Sequence, residues 1–258
     1  MQLINSERKG IGMEGSEKSR GRLSTGIEGL DAITYGGIPE SNQVIVAGGP
    51  GCGKTLLTFE ILYNNAKKGI PCTYLTLEES QQNVLQNFKS TFPNFSDIDA
   101  LIEEKKIILA GNETASKVQT GTDSQSYAFS SVLSDIEDIV HTNNSKCLVI
   151  DSLSILKLML GDVLVYRKSM FALSLNLKRL GVTSFLTMEM QHTTRQAMSF
   201  SPEFFIFDGT IVMYQSIEEN KRVYGLEVLK MRGSNHSMSV SPYEITDKGF
   251  RIFTISEI

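Results

Sequence analysis

The residues Gly48-Gly49-Pro50-Gly51-Cys52-Gly53-Lys54-Thr55 fit G-x-x-x-x-G-K-[ST], a spacing suited to holding nucleotide phosphates. Glycines let the backbone curl around an anion with no Cβ in the way. Successive N–H groups then point at the phosphates, and the positive end of the following helix adds to the field. Lys54 reaches the outer phosphates, and the Thr55 hydroxyl suits Mg²⁺. A glycine-rich turn before a lysine would satisfy the same letters, but the flanks decide between them. An apolar, β-rich run, Gln43 to Ala47, precedes the loop, and Leu56 to Tyr63 opens a half-buried helix.

Acids at two further places extend the site. Cys147-Leu148-Val149-Ile150-Asp151 is an apolar strand ending in a carboxylate, followed by Ser152. An Asp at the C-terminal end of a buried strand next to the P-loop strand can hold Mg²⁺ directly or through water. Alone it would read as a cap for the next turn; with the P-loop upstream it reads as an acid for the metal. Glu78 and Glu79 end another buried strand, Cys72 to Leu77. Phosphoanhydride hydrolysis needs a group that orients and polarises water, which a carboxylate facing the γ-phosphate provides. The competing role is two acids favoured by a helix dipole. Glu189 ends the strand Val182 to Met188 and is either a γ-phosphate sensor or a solvated strand end.

These groups need a scaffold, and the chain is long enough for one. It has 258 residues, 41% of them apolar, and a net charge of −4. That suffices for one large α/β core. The charge provides no global field for nucleic acid or an anionic membrane, although a local basic groove stays open. No apolar run approaches the length of a membrane span, and Met1 to Lys9 lacks a signal-peptide apolar region. Cys52, Cys72 and Cys147 are odd in number and lack metal-ligand spacing, so reduced thiols of a cytoplasmic protein are expected.

Residues 1–20 are polar and aperiodic, an expected disordered arm, which leaves 21–258 as one domain without repeat or linker. Thr25 to Tyr35 predicts a short helix, and Gly36-Gly37-Ile38-Pro39 turns the chain into the P-loop strand. Helices are predicted from Ser80 to Thr91 and over 98–104, and a strand over Lys106 to Ala110. Residues 112–125 read as a polar loop. Val132, Leu133, Ile136, Ile139 and Val140 mark one helix face; Met170, Leu173, Leu177 and Leu180 mark another. From Phe204 the rhythm changes to short strands, 210–214, 223–229, 243–246 and 250–253, with Asp247-Lys248-Gly249 as a hairpin turn. The expected fold is α/β: a mostly parallel sheet flanked by helices and extended by antiparallel strands at the C-terminus.

Together these residues resemble the KaiC-like branch of the RecA superfamily, over about Leu23 to Phe253. The resemblance rests on Thr25-Gly26-Ile27-Glu28-Gly29-Leu30-Asp31 with Gly36-Gly37-Ile38-Pro39, on Glu78-Glu79, on Val149-Ile150-Asp151-Ser152, and on Ile245-Thr246-Asp247-Lys248-Gly249. Most distinctive is Lys230-Met231-Arg232-Gly233-Ser234-Asn235-His236, similar to the family's K-x-R-G-[ST]-x-H segment. The resemblance implies a RecA-like P-loop NTPase that binds ATP and Mg²⁺ and hydrolyses ATP. It implies a nucleotide site of Gly48 to Leu56 with His236, a metal site of Thr55 and Asp151, and catalysis by Glu78, Glu79, Lys230 and Arg232. In such proteins the lysine and arginine reach the neighbouring subunit's nucleotide, which implies a homo-oligomeric, hexameric ring. Both are two apart on a predicted strand and so share a face; a solvated basic edge strand is the alternative.

The chain carries one such domain where the circadian member of the family it resembles carries two. At the position of that protein's phosphorylated Ser-Thr pair it has Phe204 and Phe205, with Ser199 and Ser201 off register, so autokinase activity is not expected. The favoured function is a ring-forming regulatory or scaffold ATPase with an unidentified protein partner. A recombinase-like protein is the first alternative, with single-strand loops near 156–167 and 191–203. Arg195 is the only Lys or Arg of the second loop, whereas strand binding wants more charge. A slow ATP switch docking on a partner machine is the second alternative.

Overall fold

The structure, a computed structural model, describes residues 21–111, 125–191, 195 and 201–254. The expected arm (1–20), the loop 112–124, Ser199 and most of 191–203 lie outside the described residues.

Strand β3 (Gln43–Gly48) has every residue buried and lies inside a nine-stranded sheet formed by the described residues. One flank continues in parallel through β7 (Thr183–Glu189), β6 (Cys147–Asp151), β4 (Cys72–Thr76) and β5 (Ile107–Gly111). On the other flank β8 (Gly209–Glu218) is still parallel to β3. Direction then alternates through β9 (Lys221–Met231), β10 (Ser241–Thr246) and β11 (Gly249–Ile252). A separate ladder joins β1 (Arg22–Leu23) to β2 (Ile38–Pro39).

Helices cover both faces, so the central strands are apolar on both sides. Val44 and Val46 face one core with α1 (Glu28–Ile33), α2 (Lys54–Lys67), α3 (Gln81–Thr91) and α4 (Ile98–Glu103). Ile45 and Ala47 face the other, with α5 (Gln125–Thr142), α6 (Leu153–Leu160), α7 (Val163–Leu180) and the short α8 (Glu203–Ile206). Phe59, Phe88, Phe92 and Phe95 cluster in the first core in tilted and edge-on contacts, with Phe59 and Phe88 centroids 4.3 Å apart. Ser80 caps α3 by accepting from the Asn83 N–H at 3.1 Å, and Asp162 caps α7 by accepting from Leu164 and Val165. No helix among the described residues is long and apolar enough to cross a membrane.

Three expectations are corrected. The Asp151 strand is not next to the P-loop strand, because β7 lies between them. Residues 156–167 are not a loop; they complete α6, turn at Gly161 and Asp162, and begin α7. Strands β8 and β9 are longer than the predicted segments, meeting at Glu219 and Asn220, both with positive φ (48° and 63°). Two left-handed residues match the twist of a tight hairpin, which Asn tolerates well.

Candidate active site

The P-loop leaves β3 at its carboxyl end and closes onto α2. Gly53 caps α2 in the left-handed region, at φ 92°, where a Cβ would stand 2.8 Å from Ile245 Cδ1. A Cβ on Gly48 would stand 2.6 Å from the Cys52 sulfur, so this tight turn also needs glycine. The loop is anchored from outside: the Tyr243 hydroxyl donates to the Cys52 carbonyl at 2.6 Å, and the Gln215 amide donates to the Pro50 carbonyl at 3.0 Å. Cys52 points inward and is fully buried, and burial raises its thiol pKa; its role here is packing.

Pro50, Gly51, Gly53, Lys54, Thr55, Glu78, Glu79 and Asp151 line a single cleft of about 270 Å³, joined by Ser152 and Glu189. Gly48, Gly49, Cys52 and Leu56 belong to the same loop and helix start but do not line the cleft. Lys54 is largely buried, and its ammonium donates to the Gly49 carbonyl at 3.0 Å. The Thr55 hydroxyl donates to Asp151 Oδ2 at 2.8 Å, so α2 reaches across β7 to the acid. Two further hydroxyls hold that carboxylate: Tyr74 donates to Oδ2 at 2.6 Å, and Thr187 donates to Oδ1. Ser152 donates to Glu78 Oε2 at 2.9 Å, whereas Glu79 accepts from Asn87 at 3.2 Å. Glu78 is thus tied to the Asp151 strand and Glu79 to α3. The Glu189 N–H is held by the Ser154 hydroxyl at 2.9 Å.

Sequence reasoning missed Tyr74, Thr187, Ser152 and Gln215. Two of them carried a signal: Tyr74 and Thr187 are hydroxyls within apolar, buried strands. The donor set suits Mg²⁺. Asp151 and the Thr55 hydroxyl meet beside the phosphate cradle, and no group of three His, Cys, Asp or Glu among the described residues is placed to hold a metal ion by itself. Mg²⁺ favours this arrangement over an all-protein cage.

Lys230, Arg232 and His236 lie elsewhere. β9 runs against β8, so its end, Met231, pairs with Gly209, which pairs with Val44 near the start of β3. From there to Gly48 is roughly 13 Å of strand, so these residues sit at the opposite end of the sheet from their own P-loop. Lys230 donates to the carbonyls of Phe204 (2.8 Å) and Phe207 (2.6 Å), and Arg232 to that of Phe205 (2.8 Å). Arg232, one residue past the strand, also lies 3.6 Å from buried Asp208, which Lys178 approaches to 3.0 Å. Burial, then the adjacent Arg232 charge, pulls the Lys230 pKa down to about 8. The His236 ring contacts the Ser237 carbonyl through Nδ1 at 2.9 Å.

Which face Lys230 and Arg232 share depends on a bulge. Thr210 pairs with Lys230 but Ile211 pairs with Val228, which leaves Leu229 as an extra residue. Simple alternation would send Lys230 to the face of Val228. The bulge turns it instead to the face of Leu229 and α8. Arg195 forms an ion pair with buried Glu227 at 3.1 Å, and Glu227 also accepts from Tyr214 at 2.5 Å.

The family described as "ATPase: KaiC" matches residues 23–257. A UPF0273 protein of Methanopyrus kandleri is 33% identical over 233 residues, 90% of this chain and 91% of its own length. The circadian clock oscillator protein KaiC of Picosynechococcus sp. is 31% identical over 93% of this chain, but only 46% of that protein is covered. KaiC of Rippkaea orientalis is 30% identical over 98% of this chain and 47% of its own length. The chain thus spans about half the length of the clock proteins it matches. With the P-loop, the paired glutamates and the strand-end Asp brought into one cleft at the carboxyl edge of a RecA-like sheet, the chain belongs to the KaiC family of ATPases, within the RecA superfamily.

Proposed function

We propose that this chain binds Mg²⁺·ATP and hydrolyses it slowly, in a ring whose active sites are shared between subunits. The observation that carries the reading is the convergence in one cleft of Lys54, Thr55, Asp151, Glu78 and Glu79, from three separate stretches of chain. The P-loop N–H groups and Lys54 bind and orient the phosphates. Mg²⁺, when bound, neutralises charge on the phosphate oxygens, with Thr55 and Asp151 as its protein groups. Glu78, held by Ser152, orients the attacking water and takes its proton; Glu79 supports the same edge. The cations Lys230 and Arg232 act on the neighbouring subunit's nucleotide, since they sit too far from their own loop.

Thermal unfolding with Mg²⁺·ATP tests this. Wild-type protein unfolds several degrees higher with nucleotide, and Lys54→Ala loses the shift. Absence of a wild-type shift overturns the reading.

Phe204 and Phe205 lack an acceptor oxygen, so we expect no stable phosphoenzyme. Intact-mass spectrometry after long incubation with ATP should show no added phosphate, and a phosphate on Ser199 or Ser201 would refute this. The nucleic-acid alternative is disfavoured because Arg195 is committed to Glu227 and residues 156–167 are helical. An unidentified protein partner reads out the ring's nucleotide state. Three free, buried cysteines fit a reducing, cytoplasmic setting.

A further inference from the structure

The outer side of the P-loop is gripped by two side chains from the antiparallel half of the sheet. Tyr243 of β10 is 2% exposed, and its hydroxyl donates to the Cys52 carbonyl at 2.6 Å. Gln215 of β8 donates its amide to the Pro50 carbonyl at 3.0 Å. The Tyr243 ring has little freedom to move. It stacks on Tyr224 with centroids 5.2 Å apart and packs against Phe250 at 5.7 Å. Burial raises its pKa, so it stays a neutral donor. β11 closes on the same turn, since a Cβ on Gly53 would stand 3.0 Å from Phe250 Cζ.

Neither Tyr243 nor Gln215 lines the cleft, so their effect passes through the peptide groups they hold. The Pro50–Gly51 and Cys52–Gly53 peptides are trans, and in a planar trans peptide the C=O and N–H point in opposite directions. A carbonyl fixed toward β8 or β10 therefore fixes the N–H of the next residue away from those strands. Those N–H groups belong to Gly51 and Gly53, the two loop glycines that line the cleft. Both have positive φ, 76° and 92°, and glycine leaves such a peptide free to rotate. An outside hold on each carbonyl thus decides how much of the anion nest exists before a phosphate arrives.

We infer that Tyr243 and Gln215 are positioning residues for the phosphate site, holding the Gly51 and Gly53 N–H groups toward the phosphates in the empty loop. This rests on the ATP-binding reading above. The antiparallel strands thereby contribute to nucleotide affinity by preorganisation, although none of their residues lines the phosphate cleft. The gain belongs to phosphate binding as such, whatever base is attached.

Two variants test this. Tyr243→Phe keeps the ring and its stacking and removes the donor; Gln215→Met keeps the length and removes the amide. Isothermal titration calorimetry with Mg²⁺ gives the affinity for ADP and, separately, for inorganic tripolyphosphate, which has neither base nor ribose. Each variant should weaken both ligands by the same factor, about 5-fold for the loss of one hydrogen bond. Stoichiometry should stay at the wild-type value, because misfolded chains remove sites without changing the affinity of the folded ones. Weakened ADP with unchanged tripolyphosphate overturns the inference, since the side chain then acts on the nucleoside. Unchanged affinity for both, with or without lost stoichiometry, also overturns it and leaves the ATP reading standing. If Tyr243→Phe does not fold, Gln215→Met, at a partly exposed side chain, decides by the same criteria. A wild-type protein that binds neither ligand overturns the ATP-binding reading and this inference together.

Discussion

The two glutamates at the end of β4 are neighbours in sequence but not in role. Glu78 is tied by Ser152 to the Asp151 strand, and Glu79 is turned toward Asn87 on α3. Under the proposed mechanism the first is therefore the better-placed base. Glu78→Gln should lower turnover by about 10²-fold or more while leaving ATP binding intact, and Glu79→Gln should cost less. Single-turnover hydrolysis with parallel binding titrations checks both; equal, small effects would return the pair to dipole capping. The P-loop, Asp151 and the glutamate pair were legible in the sequence because each is a contiguous motif next to a buried strand. That three hydroxyls converge on Asp151 was not. Tyr74, Thr55 and Thr187 meet only because β4, α2 and β7 are brought together by tertiary structure, and no local pattern encodes that.

Among elements, α2 is fastened at its start and at its middle. Its start closes the P-loop, and its buried Glu60 accepts from the Phe250 N–H of β11 at 2.8 Å. Burial raises the Glu60 pKa from 4.5 to about 8. Between those values the folded chain keeps a proton that the unfolded chain has released. Stability from this group is thus complete below pH 4.5 and is lost as pH rises through about 8. The slope approaches about 1.4 kcal/mol per pH unit. Glu60→Gln keeps an acceptor for Phe250 and should flatten stability against pH over this window, as read by urea unfolding at several pH values. Unchanged slope would remove Glu60 as the cause. Most elements were legible from periodicity: the helix stripes, the apolar strands and the final hairpin appear where expected. Sheet order was not, since nothing in Cys147 to Asp151 says that β7 intervenes before β3. Nor was the bulge at Leu229, because alternation counts residues along one strand and cannot see a slip against its partner.

For the whole molecule, the decisive geometry is the separation of the P-loop cleft from Lys230 and Arg232. The P-loop cleft opens at the carboxyl ends of the parallel strands, and Lys230 and Arg232 lie at the amino ends. A head-to-tail contact that brings one end against the other closes into a ring when the rotation permits. The expected assembly is a hexamer favoured by ATP at the joints, which light scattering with and without nucleotide checks. Mixing Lys54→Ala subunits, which keep the cations, with Arg232→Ala subunits, which keep the loop, should recover activity that neither has alone. No recovery despite proven subunit exchange, or a monomeric mass with ATP, would refute the shared site. If sites are shared as proposed, the same separation also governs how catalysis scales with assembly. An open arc of n subunits contains n − 1 complete sites and leaves an unmatched half at each terminus. Closure would supply one more site without another subunit, so at a fixed number of subunits turnover per chain would rise with the fraction of arcs that have shut.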